Sequence, residues 1–117
     1  MEKEFVSYEL ALALKELGFN EPCYDNYNIY GKLWGLRLNK QVKIKGACLA
    51  PTFSQAFKFF REKYKLPSWI YTSDNEKFYY GILRDTRFLI DGNKPYETYE
   101  ESEWACLLKL IEVVKNK

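Results

Sequence analysis

The chain of 117 residues contains no histidine. That absence removes the commonest general base, the Ser–His and Cys–His nucleophile pairs and most zinc sites. Cysteine is scarce too. Cys23, Cys48 and Cys106 stand 25 and 58 residues apart, an odd number with none of the close pairs that a structural zinc site uses. Scattered single cysteines read as small buried apolar residues of a protein kept in a reducing compartment. No run approaches the ~18 consecutive apolar residues of a membrane span. The start, Met1-Glu2-Lys3-Glu4, is charged and leads into a helix rather than a signal peptide. Glycine is sparse: Gly31, Gly35 and Gly46 are isolated in strand-like sequence, marking bulges or close packing rather than a phosphate-cradling loop. We therefore expect a soluble cytoplasmic protein with no catalytic residue, no metal, no cofactor and no membrane partner.

Acids are missing from one long stretch. Between Asp25 and Glu62 there is none, whereas Lys32, Arg37, Lys40, Lys43, Lys45, Lys58 and Arg61 all fall there. Met1 to Asp25, by contrast, carries six acids against Lys3 and Lys15. The net charge of +2 hides this asymmetry, which bears on what the surface attracts and hardly on the fold. The acids Glu97, Glu100, Glu101 and Glu103 read as the ordinary complement of a helix N-terminus, not as a metal site.

What is abundant is aromatic: ten Tyr, eight Phe and three Trp make up 18% of the chain. A ring with a polar tip suits half-buried sheet faces and interfaces alike. The length fits a single domain over residues 1–117, long enough to bury roughly two thirds of its unfolded surface without a metal or disulfide.

Periodicity sets the element order. Ser7 caps a first helix with Leu10, Leu14 and Leu17 along one stripe, and Gly18 with Phe19 suits a Schellman ending. Leu36-Arg37-Leu38 and Val42-Lys43-Ile44-Lys45 alternate as two strands around Asn39-Lys40-Gln41. A three-residue loop keeps the apolar side chains on one face by pairing Leu38 with Val42 and Leu36 with Ile44. It also sets Arg37 opposite Lys43 beside Lys45, a repulsive arrangement that an anionic counter-charge would relieve. Thr52 and Gln55 form a capping box for a second helix, whose stripe is Phe53, Ala56, Phe57, Phe60 and Tyr64. Trp69–Thr72 and Phe78–Leu83 flank the turn Ser73-Asp74-Asn75-Glu76, and Arg87–Ile90 ends at Asp91-Gly92. Thr98 and Glu101 cap the last helix. Its apolar face is Trp104, Leu107, Leu108, Ile111 and Val114, with Lys115 and Lys117 at its end. The expected fold is α+β, three helices packed on an antiparallel sheet in the order α-ββ-α-βββ-α.

Several helical stretches resemble a family of small bacteriophage and prophage proteins that has no assigned activity. They are Glu4-Phe5-Val6-Ser7-Tyr8-Glu9-Leu10-Ala11, Leu17-Gly18-Phe19-Asn20-Glu21-Pro22-Cys23, and Ala50-Pro51-Thr52-Phe53-Ser54-Gln55-Ala56-Phe57 with Phe60-Arg61-Glu62-Lys63-Tyr64. Tyr96-Glu97-Thr98-Tyr99-Glu100-Glu101-Ser102-Glu103 follows, with Ala105-Cys106-Leu107 and Lys109-Leu110-Ile111-Glu112. The likeness covers about half the chain, the helices and the residues leading into them, and leaves 24–48 and 66–95 outside. Ser7 stands where the family pattern has Pro, and either residue opens a helix. The resemblance implies a small accessory protein working in the bacterial host cytoplasm and transfers no site residue.

Two functions follow as expectations. The first is a non-enzymatic module that binds a host or phage protein through Tyr27, Tyr30, Trp34 and Trp69, since Tyr, Trp and Arg concentrate at interface hot spots. The second is a nucleic-acid or nucleotide binder. Arg37, Lys43 and Lys45, with Lys32, Lys58 and Arg61, would meet phosphates while rings stack on bases. A pI near 8.3 is low for the second.

Overall fold

In a computed structural model the chain is described over residues 5–35, 37–73, 75–84, 88–91 and 94–116. Leu36, Asp74, Arg87, Gly92 and Lys117, to which the sequence assigns roles, lie outside that range, as do Met1 to Glu4. The described elements are α1 (Tyr8–Glu16), β1 (Asn26–Tyr27), β2 (Cys48–Leu49), α2 (Phe53–Lys63), β3 (Ser68–Thr72), β4 (Phe78–Arg84), β5 (Phe88–Asp91) and α3 (Tyr99–Lys115). This is the expected α+β order. The chain divides into two compact units, 1–56 and 57–117, with α2 running from one into the other.

In the first unit the caps form as the sequence directs. Ser7 Oγ accepts from Leu10 N–H at 3.3 Å and starts α1. At the other end Gly18 adopts φ +97°. Phe19 N–H donates to Leu14 O at 2.9 Å and Gly18 N–H to Lys15 O at 3.1 Å, the two bonds of a Schellman ending. Leu10, Ala11 and Leu14 are buried, and α1 packs on β2. Each such buried Leu contributes on the order of 1.5–3 kcal/mol. β1 pairs antiparallel with β2, Asn26 opposite Leu49 and Tyr27 opposite Cys48. Thr52 and Gln55 exchange the two bonds of the capping box, at 3.2 and 3.0 Å.

Among the described residues the expected 36–45 hairpin does not form. Leu38 instead makes an antiparallel bridge with Cys23, whose N–H donates to Leu38 O at 3.0 Å. Val42 to Lys45 belongs to no strand, and Ala47 N–H closes a turn onto Ile44 O. The physical reason is competition for the backbone. Leu38 O, an acceptor the Leu38–Val42 pair would use, is taken by Cys23, while Asn20 Oδ1 holds the Gln41 N–H at 2.6 Å and Gln41 Oε1 the Leu49 N–H at 3.0 Å, tying the expected loop to the end of α1 and to β2. Arg37 and Lys43 are therefore not cross-strand neighbours.

In the second unit β3, β4 and β5 form an antiparallel sheet with β4 in the middle. Ile70 faces Tyr80, Tyr71 faces Tyr79, Trp69 faces Gly81 and Ile82 faces Ile90. α3 packs on β4 and β3. Thr98 Oγ1 accepts from Glu101 N–H at 3.1 Å, the cap the sequence announces. Two stripes shift from expectation. On α2, Phe59 is buried together with Ala56 and Phe60, while Phe53 and Phe57 are half-buried. On α3 the buried line is Ser102, Cys106, Leu107, Leu110, Ile111 and Val113, so Trp104 and Leu108 turn outward. Those two lie a helical turn apart beside the line that meets the sheet, and with Tyr96 and Ala105 they edge an apolar groove of about 490 Å3. Among the described residues no helix is long and apolar enough to cross a membrane.

Candidate functional site

Among the described residues joining β1 to β2 there is no helix and no strand beyond isolated bridges, and side-chain bonds hold much of the backbone. Long connections without strands or helices of their own are uncommon in compact units and tend to be functional. Asp25 is the hub. Its Oδ1 accepts from the N–H groups of Asn26, Trp34 and Gly35 at 2.8, 3.1 and 2.6 Å. Asn28 Oδ1 does the same for Tyr30 and Lys32, at 2.9 and 3.1 Å, and folds the tip at Gly31. Gly31 has φ +76°, and a Cβ there would stand 2.9 Å from the Tyr8 ring, so a side chain is excluded on both counts. The far limb is pinned to α1. Lys15 Nζ donates to Ile44 O and Ala47 O at 3.2 and 2.8 Å, and Tyr8 Oη to Gly46 O at 2.6 Å.

On and beside this frame several large side chains face outward. Tyr24 is 61% exposed, Tyr30 79% and Trp34 51%, with Ile29 and Ile44 about half-exposed. Arg37 lies over the Tyr24 ring, 5.1 Å from its centroid, a cation–π contact. Tyr30 and Trp34 are thus placed as an interface would need. Tyr27 is not: it is 8% exposed, and its hydroxyl donates to Val6 O at 2.6 Å inside the core. The expectation of a Tyr27 contact is corrected on that ground. Trp69 is partly exposed but belongs to the second unit's sheet, where its indole covers Gly81 closely enough that a Cβ would meet Cζ2 at 2.6 Å. Its position is explained by filling the gap left by a strand glycine.

The expected anion-contacting residues divide between the two units. Lys32, Arg37, Lys43, Lys45, Lys58 and Arg61 are all exposed. Lys58 and Arg61 sit on the part of α2 in the second unit. Within the first unit, Lys43 and Lys45 line a cleft of about 530 Å3 together with Lys15, Lys40, Gln41, Val42, Gly18, Phe19 and Asn20. Sequence reading missed Lys15 and Lys40 as members. The signal that brings them together is the Asn20–Gln41 bond, which draws the 40–45 segment against the end of α1.

The three thiols are not poised as nucleophiles. Burial pushes the Cys23 and Cys106 thiols up to about 12 and Cys48 to about 11, far from a thiolate nucleophile at neutral pH. For Cys23 the Glu21 charge adds to burial, whereas at Cys48 the Lys15 charge partly opposes it. Among the described residues no group of three or more Cys, Asp or Glu is placed to hold a metal ion. Asn26 is fully buried with neither amide atom hydrogen-bonded to protein, and the structure gives no physical reason for a polar side chain there. No protein-family model, no curated protein and no solved structure matches the chain.

Proposed function

We propose that the protein is a non-enzymatic binding module whose partner is another protein, held by the 24–47 connection of the first unit. The observation that carries this is the display of Tyr24, Tyr30 and Trp34 on a backbone already fixed by Asp25 and Asn28. Exposed rings of this size supply hot-spot area at low entropic cost, and a preordered loop removes most of the ordering penalty of association. The resemblance of the helices to small phage proteins favours a host or phage protein as target, in host takeover or counter-defence within the bacterial cytoplasm. Nucleic-acid binding is the weaker reading, because Tyr24, Tyr30 and Trp34 do not line the lysine cleft, and of the described cations near these rings only Arg37 is in ring contact, over Tyr24.

The test is retention of bacterial lysate proteins on the immobilised chain, quantified by mass spectrometry. We expect at least one protein retained by the wild type and lost about tenfold or more on Tyr30→Ser/Trp34→Ser, the loss of two hot-spot side chains. Asp25→Ala keeps every ring but frees the loop, and is expected to weaken the same protein's retention. Equal retention by wild type and both variants overturns the proposal.

A further inference from the structure

The lysine cleft at the end of α1 is independent of the ring-bearing surface. Lys15, Lys40, Lys43 and Lys45 line it, and among the described residues no carboxylate does. Among the described residues Lys40, Lys43 and Lys45 form no ion pair. Lys15 is held in place by the carbonyls of Ile44 and Ala47, which fix its ammonium without neutralising it. The nearest acids in sequence, Glu16 and Glu21, are exposed and do not line the cleft. Gln41, which also lines the cleft, is held by its Oε1 on the Leu49 N–H at 3.0 Å. Four cations drawn together with no carboxylate among the described lining residues raise the free energy of the empty cleft and lower that of an anion inside it.

The geometry also says what kind of anion. One wall is the C-terminal end of α1, where Gly18 and Phe19 follow the last turn. The helix dipole places partial negative charge there, which works against any anion. A single carboxylate gains little over that opposition in an open, watered cleft. An anion with several charges in a small volume gains from all four lysines at once. Lysine ammoniums act as point charges toward phosphate oxygens, and no arginine fork lines the site to select a planar carboxylate. We infer that the cleft formed by Lys15, Lys40, Lys43 and Lys45 binds a linear polyphosphate group, free or carried at the end of a nucleotide. Phe19 and Val42 complete the lining, and the volume leaves room for more than the phosphates alone.

The inference does not rest on the protein-contact reading, since it uses none of Tyr24, Tyr30 or Trp34. The full chain is titrated calorimetrically with orthophosphate, tripolyphosphate, a nucleoside triphosphate and an acidic peptide of consecutive glutamates. Tripolyphosphate is expected to bind with a Kd below about 100 μM at ~50 mM salt, weakening at least severalfold at ~300 mM as screening grows. Lys40→Glu, Lys43→Glu and Lys45→Glu are each expected to weaken it about tenfold or more, the scale of one lost charge-assisted contact. Lys109→Glu makes the same change of net charge on α3 and is expected to leave the affinity alone. Tighter binding of the nucleoside triphosphate assigns the phosphates to a nucleotide; equal binding assigns them to a free polyphosphate. Four results overturn the inference: no tripolyphosphate binding at millimolar concentration, equal binding by the three cleft variants, equal weakening by Lys109→Glu, or capture of the glutamate peptide in preference to tripolyphosphate. Each cleft lysine replaced is exposed, and a melting curve matching the wild type separates lost binding from lost fold.

Discussion

Tyr27→Phe removes one oxygen from a place where the structure assigns it a definite task. The Tyr27 hydroxyl donates to Val6 O at 2.6 Å, and both residues are buried. The ring itself is held separately, edge-on to Tyr8 with centroids 5.6 Å apart, so phenylalanine keeps the packing. What is lost is the hydrogen bond, worth a net ~1 kcal/mol, plus part of the ~1–3 kcal/mol cost of a buried carbonyl deprived of its donor. Against this, phenylalanine no longer has a hydroxyl to desolvate. The balance is a destabilisation of about 1–2 kcal/mol. It acts on the segment that leads into α1, which is tied to the second capping region by the Phe5–Thr52 bridge and by Val6 N–H to Pro51 O at 2.9 Å. Urea unfolding read by circular dichroism checks it: the midpoint falls and the m-value stays. Tyr30→Phe, at a ring 79% exposed, is the control and is expected to change stability by less than about 0.5 kcal/mol. If Tyr27→Phe is equally silent, the buried anchor is absent and the ring rejoins the candidates for partner contact.

Gly81→Ala sets a methyl group where the Trp69 indole lies, 2.6 Å from Cζ2, and is expected to cost about 1–3 kcal/mol by overpacking while shifting tryptophan emission to longer wavelength. Unchanged stability and emission refute the cover. The buried thiols give a pH dependence. Unfolded cysteines lose their protons near 9.0, whereas in the folded chain Cys48 holds its proton to about 11 and Cys23 and Cys106 to about 12. The folded state's thiols therefore hold more protons between those limits, so their contribution to stability is full below about pH 9 and is lost as pH rises through about 12. Urea midpoints measured across that window check the sign, and a flat or rising profile contradicts it.

The helices were legible because their signals are local. Ser7, Thr52–Gln55 and Thr98–Glu101 each cap a helix through residues three apart, and Gly18 with Phe19 closes α1 by bonds that span one turn. Strands β3 and β4 were legible for the same reason, since a five-residue connection joins them. The first sheet was not. Its partners, Asn26–Tyr27 and Cys48–Leu49, are two residues long and about twenty apart, too short for alternation to register and too distant for a turn to announce. The clean alternation at 42–45 pointed elsewhere, whereas Cys23 took Leu38 as its partner and Asn20 held the loop at Gln41. Trp104 and Leu108 fit a helical stripe, but a stripe fixes a face only to within a position or two, and Ser102 took the buried place. The site followed the same rule. Arg37, Lys43 and Lys45 were visible as a run of charge. That Lys43 and Lys45 meet Lys15 and Lys40 instead of Arg37 depends on contacts across more than twenty residues.

The hub at Asp25 separates scaffold from message. Residues 25, 28 and 15 hold the backbone, whereas the side chains at 29, 30, 34 and 44 supply none of the hydrogen bonds that do so. Such a division lets the displayed positions diverge quickly under selection, or be randomised in a library, without the fold having to be solved again each time.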